Sequence, residues 1–318
     1  MIDQVGLLTS PLMLDVDTGV DDALAIAFAL RSGANLIGVS TVAGNVSVDL
    51  ATDNTLRVLS WMGAESAPVH RGSSRPLLHG FYDAAHDVHG ENGLGGAELS
   101  PGGISESSIN GVDALLTNAA RFEGELIVVA VGPLTNIAIA LNLCPALTRQ
   151  IRKLVIMGGA YFSSGNITPR AEFNAYADPH AFAQVVEANW SEIVVVGLDV
   201  THQTIISRDQ WDATPADATG AAGLVSQVTG RTFTDRKLDG FFLHDPLAVG
   251  IALHPDLAEL RPHAISVDTQ GQRGKTTPAE GGRVEVAISV DAHRFERLFS
   301  DRMGIVARTQ NVEINRAE

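Results

Sequence analysis

One cysteine, Cys144, is the whole thiol complement of the 318 residues. No intrachain disulfide can form, and no zinc site built on cysteines is available. Lysine is scarce too, with only Lys153, Lys237 and Lys275 present. The 22 Lys and Arg face 37 Asp and Glu, which leaves a net charge of -15 and a pI of about 5.0. A chain this acidic is a poor polyanion binder, so neither nucleic acid nor an anionic membrane surface is an expected partner. No apolar run approaches the roughly 20 residues that a membrane span needs. The start, from Met1 to Leu14, lacks a basic segment and a small-residue cleavage site, so no secretory signal is expected. These absences together point to a reducing, cytoplasmic setting. The 45% hydrophobic content is enough for a packed globular core.

Acids are abundant, and four of them crowd the segment Pro11–Leu30: Asp15, Asp17, Asp21 and Asp22. Leu12 to Asp17 reads as a buried strand and Asp21 to Arg31 as an apolar helix. Asp15 and Asp17 share one strand face, because strand side chains alternate. Asp17 is nearer the strand's end and better placed to reach a ligand. Asp21 and Asp22 diverge by about 100° around a helical turn, so one can face a metal and the other a hydroxyl. Complementing the helix dipole is the competing role, worth about 0.3–1 kcal/mol each. Clustered buried charge is costly enough to favour a held cation, and a hard ion such as Ca²⁺ or Mg²⁺ takes oxygen ligands.

Strands and helices alternate along most of the chain. Strands are predicted at Leu36–Val42, Leu126–Val131, Lys153–Met157, Ile193–Val196 and Arg283–Val290. Helices are predicted at Val48–Met62, Val112–Phe122, Leu134–Leu143, Pro179–Asn189, Asp245–Leu253 and Ala292–Phe299. A long Gly- and His-rich loop runs from His70 to Ile109, a length more typical of a functional loop than of a connector. Residues 207–238 read as polar and partly helical, with the small-residue stretch Ala216–Ala222 suited to a surface element. The alternation predicts one α/β domain over residues 1–318, with a mostly parallel, Rossmann-like central sheet, helices on both faces and a polar tail from about 308. In such sheets the site lies at the carboxyl ends of the strands.

Further polar residues fall at those ends. Asn45 follows Gly44, although an Asn after Gly is often only a turn residue. The Val131 carbonyl precedes Gly132-Pro133 and is freed from the ladder, which suits a Ca²⁺ ligand; an ordinary βα turn reads the same way. Asn166, Glu172 and Asn174 crowd one loop, as a polyhydroxylated ligand requires, and a solvated loop is the competing reading. Asp245 opens an apolar helix and is a natural cap. His244 beside it is a candidate proton donor near neutral pH. His86 and His89 lie in the long loop.

In this order the segments resemble the nucleoside hydrolase family, the inosine–uridine preferring nucleoside N-ribohydrolases. The resemblance rests on Asp15-Val-Asp17-Thr-Gly19-Val-Asp21-Asp22, Gly44-Asn45, Val131-Gly132-Pro133-Leu134-Thr135-Asn136, Gly165-Asn166, Ala171-Glu172-Phe173-Asn174 and His244-Asp245. It implies hydrolysis of ribonucleosides to ribose and free base. It implies one Ca²⁺ per subunit, bound by Asp17, Asp22, Asp245 and the Val131 carbonyl, with Asp17 as general base on a Ca²⁺-bound water. Asp21, Asn45, Asn166, Glu172 and Asn174 would bind the ribose hydroxyls and the 5′ group. His244 would protonate the leaving base, and His89 would lie near it. A homodimer or homotetramer is also implied. Thr18 departs from the family, which often carries Pro there. No Tyr stands between Thr232 and Phe242, where pyrimidine-preferring members place one, so base preference stays open. Trp61, Trp190 and Trp211 sit in helical patterns and read as structural.

Two alternatives remain at this stage. Asp15-Val-Asp17-Thr18 overlaps the opening motif of haloacid-dehalogenase-like phosphatases, with Asp15 as nucleophile. A non-catalytic Ca²⁺-dependent nucleoside-binding protein would need the same ligands without the acid and base.

Overall fold

The computed structural model describes residues 9–78, 86–215 and 217–307. Ala216 and the polar tail from Arg308 to Glu318 lie outside the described residues, as does the start of the chain.

The strands are β1 (Pro11–Val16), β2 (Asn35–Thr41), β3 (Val69–Arg71), β4 (Leu126–Ala130), β5 (Ile151–Met157), β6 (Ile193–Val196), β7 (Ile205–Ser207), β8 (Gly240–Phe242), β9 (Ala258–Val267), β10 (Thr276–Glu280) and β11 (Val284–Val290). Nine of them form one sheet in the order β10-β9-β11-β6-β5-β4-β1-β2-β3, and β7 pairs with β8 apart from it. From β11 to β3 every neighbouring pair is parallel. Only β9 runs against its neighbours.

Strands covered on both faces need no polar alternation, and the central ones show none. Every residue of β1 and β4 is buried. Alternate side chains feed two separate cores. Leu12, Leu14 and Val16 pack under the helices Val20–Arg31, Gly220–Thr234, His244–Leu253 and Ala292–Met303. Met13 packs on the other face, with the helices Gly111–Arg121, Thr135–Leu143 and Pro179–Glu187. Phe28 anchors the first core, its ring 5.8 Å from that of Phe295 and 5.6 Å from that of Phe299.

The sheet edge holds the main departure from the sequence reading, which assigned no element between Leu253 and Arg283. Strands β9 and β10 fill that gap. Their side chains are largely exposed, and each strand contains a proline, Pro262 or Pro278. Proline in a strand is an edge feature that masks the usual pattern. The polar stretch 207–238 is partly helical as expected, with helices at Arg208–Asp212 and Gly220–Thr234. The small-residue stretch before and into the second helix lies at the surface as expected, with Asp217, Thr219 and Gly220 exposed, although Ala221 is buried. The long loop contains β3 and a single helical turn, His86–His89. Among the described residues, no helix is long and apolar enough to cross a membrane.

Candidate active site

Asp17 follows β1 directly, where two glycines let the backbone close around it. A Cβ at Gly44 would overlap Asp17 Oδ2, and one at Gly132 would stand 2.9 Å from Oδ1. Oδ2 accepts the backbone N–H of Asn45 at 2.6 Å. Oδ1 is buried with no partner. Asp22 spends both oxygens, accepting the N–H of Asp17 at 3.0 Å, the N–H of Gly19 at 2.9 Å and the side-chain amide of Asn45 at 3.0 Å. Asp21 points the other way, as adjacent helical residues must. Its Oδ2 accepts the N–H of Asp245 at 2.9 Å, and its Oδ1 is buried without a partner.

These acids are expensive where they stand. Burial, then the neighbouring Asp22, raises Asp17 well above the ordinary carboxylate range. Burial raises Asp21 strongly, against a backbone hydrogen bond from Asp245 that opposes it. Asp245 is raised by burial and then by Asp21, Asp22, Asp17 and Glu172. A set of mutually repelling, desolvated carboxylates is stable only with protons or a cation among them.

The loop after β5 brings a second group. Glu172 caps the short helix Phe173–Ala177, accepting N–H groups from Asn174 at 2.7 Å, Ala175 at 3.1 Å and Gly159 at 2.8 Å. Burial still raises its pKa. Asn174 donates its amide to the Val131 carbonyl at 2.6 Å and to the Met157 carbonyl at 3.2 Å. Asn166 is exposed and is tied to the same segment by accepting the Phe173 N–H at 2.9 Å.

The histidines form a third group. His89 packs over Gly19, where a Cβ would overlap its ring, and its Nδ1 accepts the Val20 N–H at 3.0 Å. A neutral His89 therefore carries its proton on Nε2. His244 Nδ1 pairs with the Thr201 hydroxyl at 2.7 Å. The rings of His202 and Phe242 lie 5.5 and 5.6 Å from that of His244. Burial first, then the charges of His202 and His89, push His244 down to about 3.

Whether this set suits a metal depends on its donors. Among the described residues, no group of three His, Cys, Asp or Glu side chains already stands at metal-holding spacing. The donor chemistry nonetheless fits a hard cation. Asp17 Oδ1 is an orphaned buried oxygen, Asp22 and Asp245 are carboxylates, and the Val131 carbonyl has a second lone pair beyond the one Asn174 uses.

Sequence reasoning missed Thr201, His202 and Phe242 around His244. Thr201 and His202 close the short helix Leu198–Thr201 and Phe242 ends β8, positions that carry no sequence signal of their own. Asp15 is corrected. It is wholly buried, its Oδ2 held by the Ser40 hydroxyl and, at 2.9 Å, by the Asn136 amide. Two side-chain donors on that oxygen give Asp15 a structural role in place of the nucleophile's role in the phosphatase alternative. The indoles of Trp61, Trp190 and Trp211 donate to the backbone carbonyls of Gly220, Val185 and Ser226, as structural residues do.

The sequence matches the family model for inosine-uridine preferring nucleoside hydrolase over residues 12–297. It is 36% identical to the non-specific ribonucleoside hydrolase RihC of Escherichia coli strain SE11, over 93% of this chain and 99% of that protein. It is 36% identical to uridine nucleosidase 1 of Arabidopsis thaliana, over 82% of this chain and 79% of that protein. The fold matches a purine-preferring ribonucleoside hydrolase from Gardnerella vaginalis with a TM-score of 0.86 and 32% identity, covering 92% of this chain and 98% of that one.

Proposed function

The chain belongs to the inosine-uridine preferring nucleoside hydrolase family, enzymes that hydrolyse the N-glycosidic bond of ribonucleosides, and from that premise we propose a calcium-assisted mechanism centred on Asp17. The observation that carries it is the convergence of Asp17, Asp21, Asp22 and Asp245, from opposite ends of the chain, in one buried cluster.

Asp17, Asp22, Asp245 and the Val131 carbonyl would hold one Ca²⁺. Bound there, the ion supplies positive charge that lowers the pKa of the attacking water. Asp17 takes the water's proton on Oδ1, the oxygen that has no partner among the described residues. Asp21, Asn45, Asn166, Glu172 and Asn174 bind the ribose hydroxyls and the 5′ group. Glycoside cleavage passes through an oxocarbenium-like state, and a surround of carboxylates suits that developing cation. His244 faces the leaving base, with His89 nearby. His244 would donate a proton to the departing base as the bond breaks, and the proton that Asp17 takes from water balances the one given to the base. The proposal includes a cytoplasmic homodimer or homotetramer acting on a small ribonucleoside, without nucleic acid or membrane.

The test is free-base and reducing-sugar release from inosine, adenosine, guanosine, uridine, cytidine and 2′-deoxyinosine, with and without a calcium-selective chelator. Release from ribonucleosides, weak on the deoxy analogue and lost in chelator, supports the reading. Undiminished release in excess chelator removes the metal from it.

A further inference from the structure

Asn136 belongs to the motif that follows β4, yet none of the roles assigned above uses it. Its side chain is wholly buried. The amide nitrogen donates to Asp15 Oδ2 at 2.9 Å and to the Thr41 carbonyl at 2.9 Å. The amide oxygen accepts the N–H of Ser73 at 2.8 Å. Both donors and the acceptor are therefore used, each on a different segment. Asp15 lies on β1, Thr41 ends β2, and Ser73 follows β3. Asn136 itself sits in the first turn of the helix after β4. One amide thus joins the carboxyl ends of four adjacent strands.

Those ends carry the proposed chemistry. Two residues beyond Asp15 is Asp17, and four beyond Thr41 is Asn45, whose N–H holds Asp17 at 2.6 Å. The main-chain carbonyl of Asp15 accepts the N–H of Val131 at 2.8 Å and, at 3.4 Å, that of Gly132, whose peptide offers the Val131 carbonyl. The Ala43 N–H donates to the Ser73 carbonyl at 2.9 Å, so the third segment closes on the second. The packing leaves no slack, because a Cβ at Gly72 would overlap the Asn136 amide and the Thr41 carbonyl.

We propose that Asn136 is a positioning residue that registers the four strand ends carrying Asp17, Asn45 and the Val131 carbonyl. The activity part of its test rests on the proposed function; the structural part does not. A planar amide suits the task, since it combines two donors and an acceptor in fixed directions. Groups that orient ligands at one remove typically change activity by about 10–100-fold when removed.

The test compares the full-length wild type, Asn136→Asp and the swapped pair Asp15→Asn/Asn136→Asp. Asn136→Asp keeps the shape and loses both donors. The swap restores one donor–acceptor pair with its polarity reversed. Three readouts are taken: amide hydrogen exchange, calorimetric titration with Ca²⁺ alone, and kcat and KM on inosine. Asn136→Asp should exchange faster at Ser73, Val131 and Gly132 while Ala25 and Ile26 stay protected. Ca²⁺ affinity and kcat should fall by about 10-fold or more, and the swap should regain part of each. Normal exchange at those amides with normal kcat overturns the proposal. Equal acceleration across the whole sheet also overturns it, as a purely structural role. If wild type releases no base and binds no Ca²⁺, the functional reading fails while exchange still decides the positioning role. Should neither variant fold, the wild-type Asn136 amide protons decide. Slow exchange like that of β4 supports the proposal, and fast exchange overturns it.

Discussion

Asp21 Oδ2 accepts a hydrogen bond of 2.9 Å from the backbone N–H of Asp245, a residue 224 positions further along the chain. The bond docks the start of one buried helix against the start of another. Each end is rich in unsatisfied N–H groups and welcomes a carboxylate. The same contact forces two acids together, and both are raised well above the ordinary range, burial being the first cause in each.

A carboxylate in that position costs stability and should be retained for function. Asp21→Asn keeps an acceptor for the Asp245 N–H and removes a repelling charge. At neutral pH, with divalent ions chelated, the variant should melt higher than wild type, by about 2–4 °C for each kcal/mol gained. Its KM for inosine should rise. Thermal melts and steady-state kinetics on the same preparations check this. A variant that melts lower with unchanged KM would show Asp21 to be a plain structural cap.

Asp17→Asn tests the proposed base most directly. Asparagine can still accept the Asn45 N–H, so the pocket should persist, but it takes no proton. Turnover of inosine should fall by about 10²–10⁴-fold at saturating substrate. Far-UV circular dichroism should be unchanged. A kcat within a few-fold of wild type would reassign the base.

Much of this was readable from the chain, and the physical reason is uniform. Strands buried on both faces must be continuous apolar runs, so Leu126–Ala130 and Ile193–Val196 announced themselves. The glycines and acids that follow such runs marked the site, and Asp17, Asp22 and Asn45 do meet at one point. Strands β9 and β10 were hidden, because exposed residues such as Arg261 and Pro262 carry no core pattern. Tertiary environment was hidden as well. The low pKa of His244 comes from its burial and from His202 and His89, distant in sequence. The burial of Asp15 depends on Ser40 and Asn136 from neighbouring segments.

Thr18, where the family often has Pro, carries a bond that Pro could not make. Its hydroxyl lies 2.6 Å from that of Thr55, and Thr55 already donates to the Ala51 carbonyl at 2.7 Å. Thr18 is therefore the donor. Thr18→Val keeps the shape and removes that bond, so unfolding free energy should drop by about 0.5–1.5 kcal/mol. Denaturant titration measures it. No change in midpoint would mean the bond contributes nothing net.

His244 should matter in proportion to how badly the leaving group needs a proton. His244→Ala should lower kcat/KM for inosine by about 10²-fold or more. Its effect on p-nitrophenyl riboside, whose leaving group departs without protonation, should be several-fold at most. Equal losses on both substrates would place His244 in binding or folding instead.

His254 sets a pH dependence of stability away from the site. It follows the helix His244–Leu253, and its Nε2 is buried without a partner. Burial lowers its pKa below the ordinary 6.5, with Arg294 and Arg302 adding to that and Asp256 opposing it. The folded protein thus resists a proton that the unfolded chain accepts. Stability from this residue is fully present above about pH 6.5, and it is lost as pH falls through that value toward the folded pKa. His254→Gln removes the titration and keeps a polar side chain. The melting-temperature difference, wild type minus variant, should therefore shrink between pH 7.5 and pH 5. A difference constant across that range would mean His254 charges as freely in the folded protein as in the unfolded one.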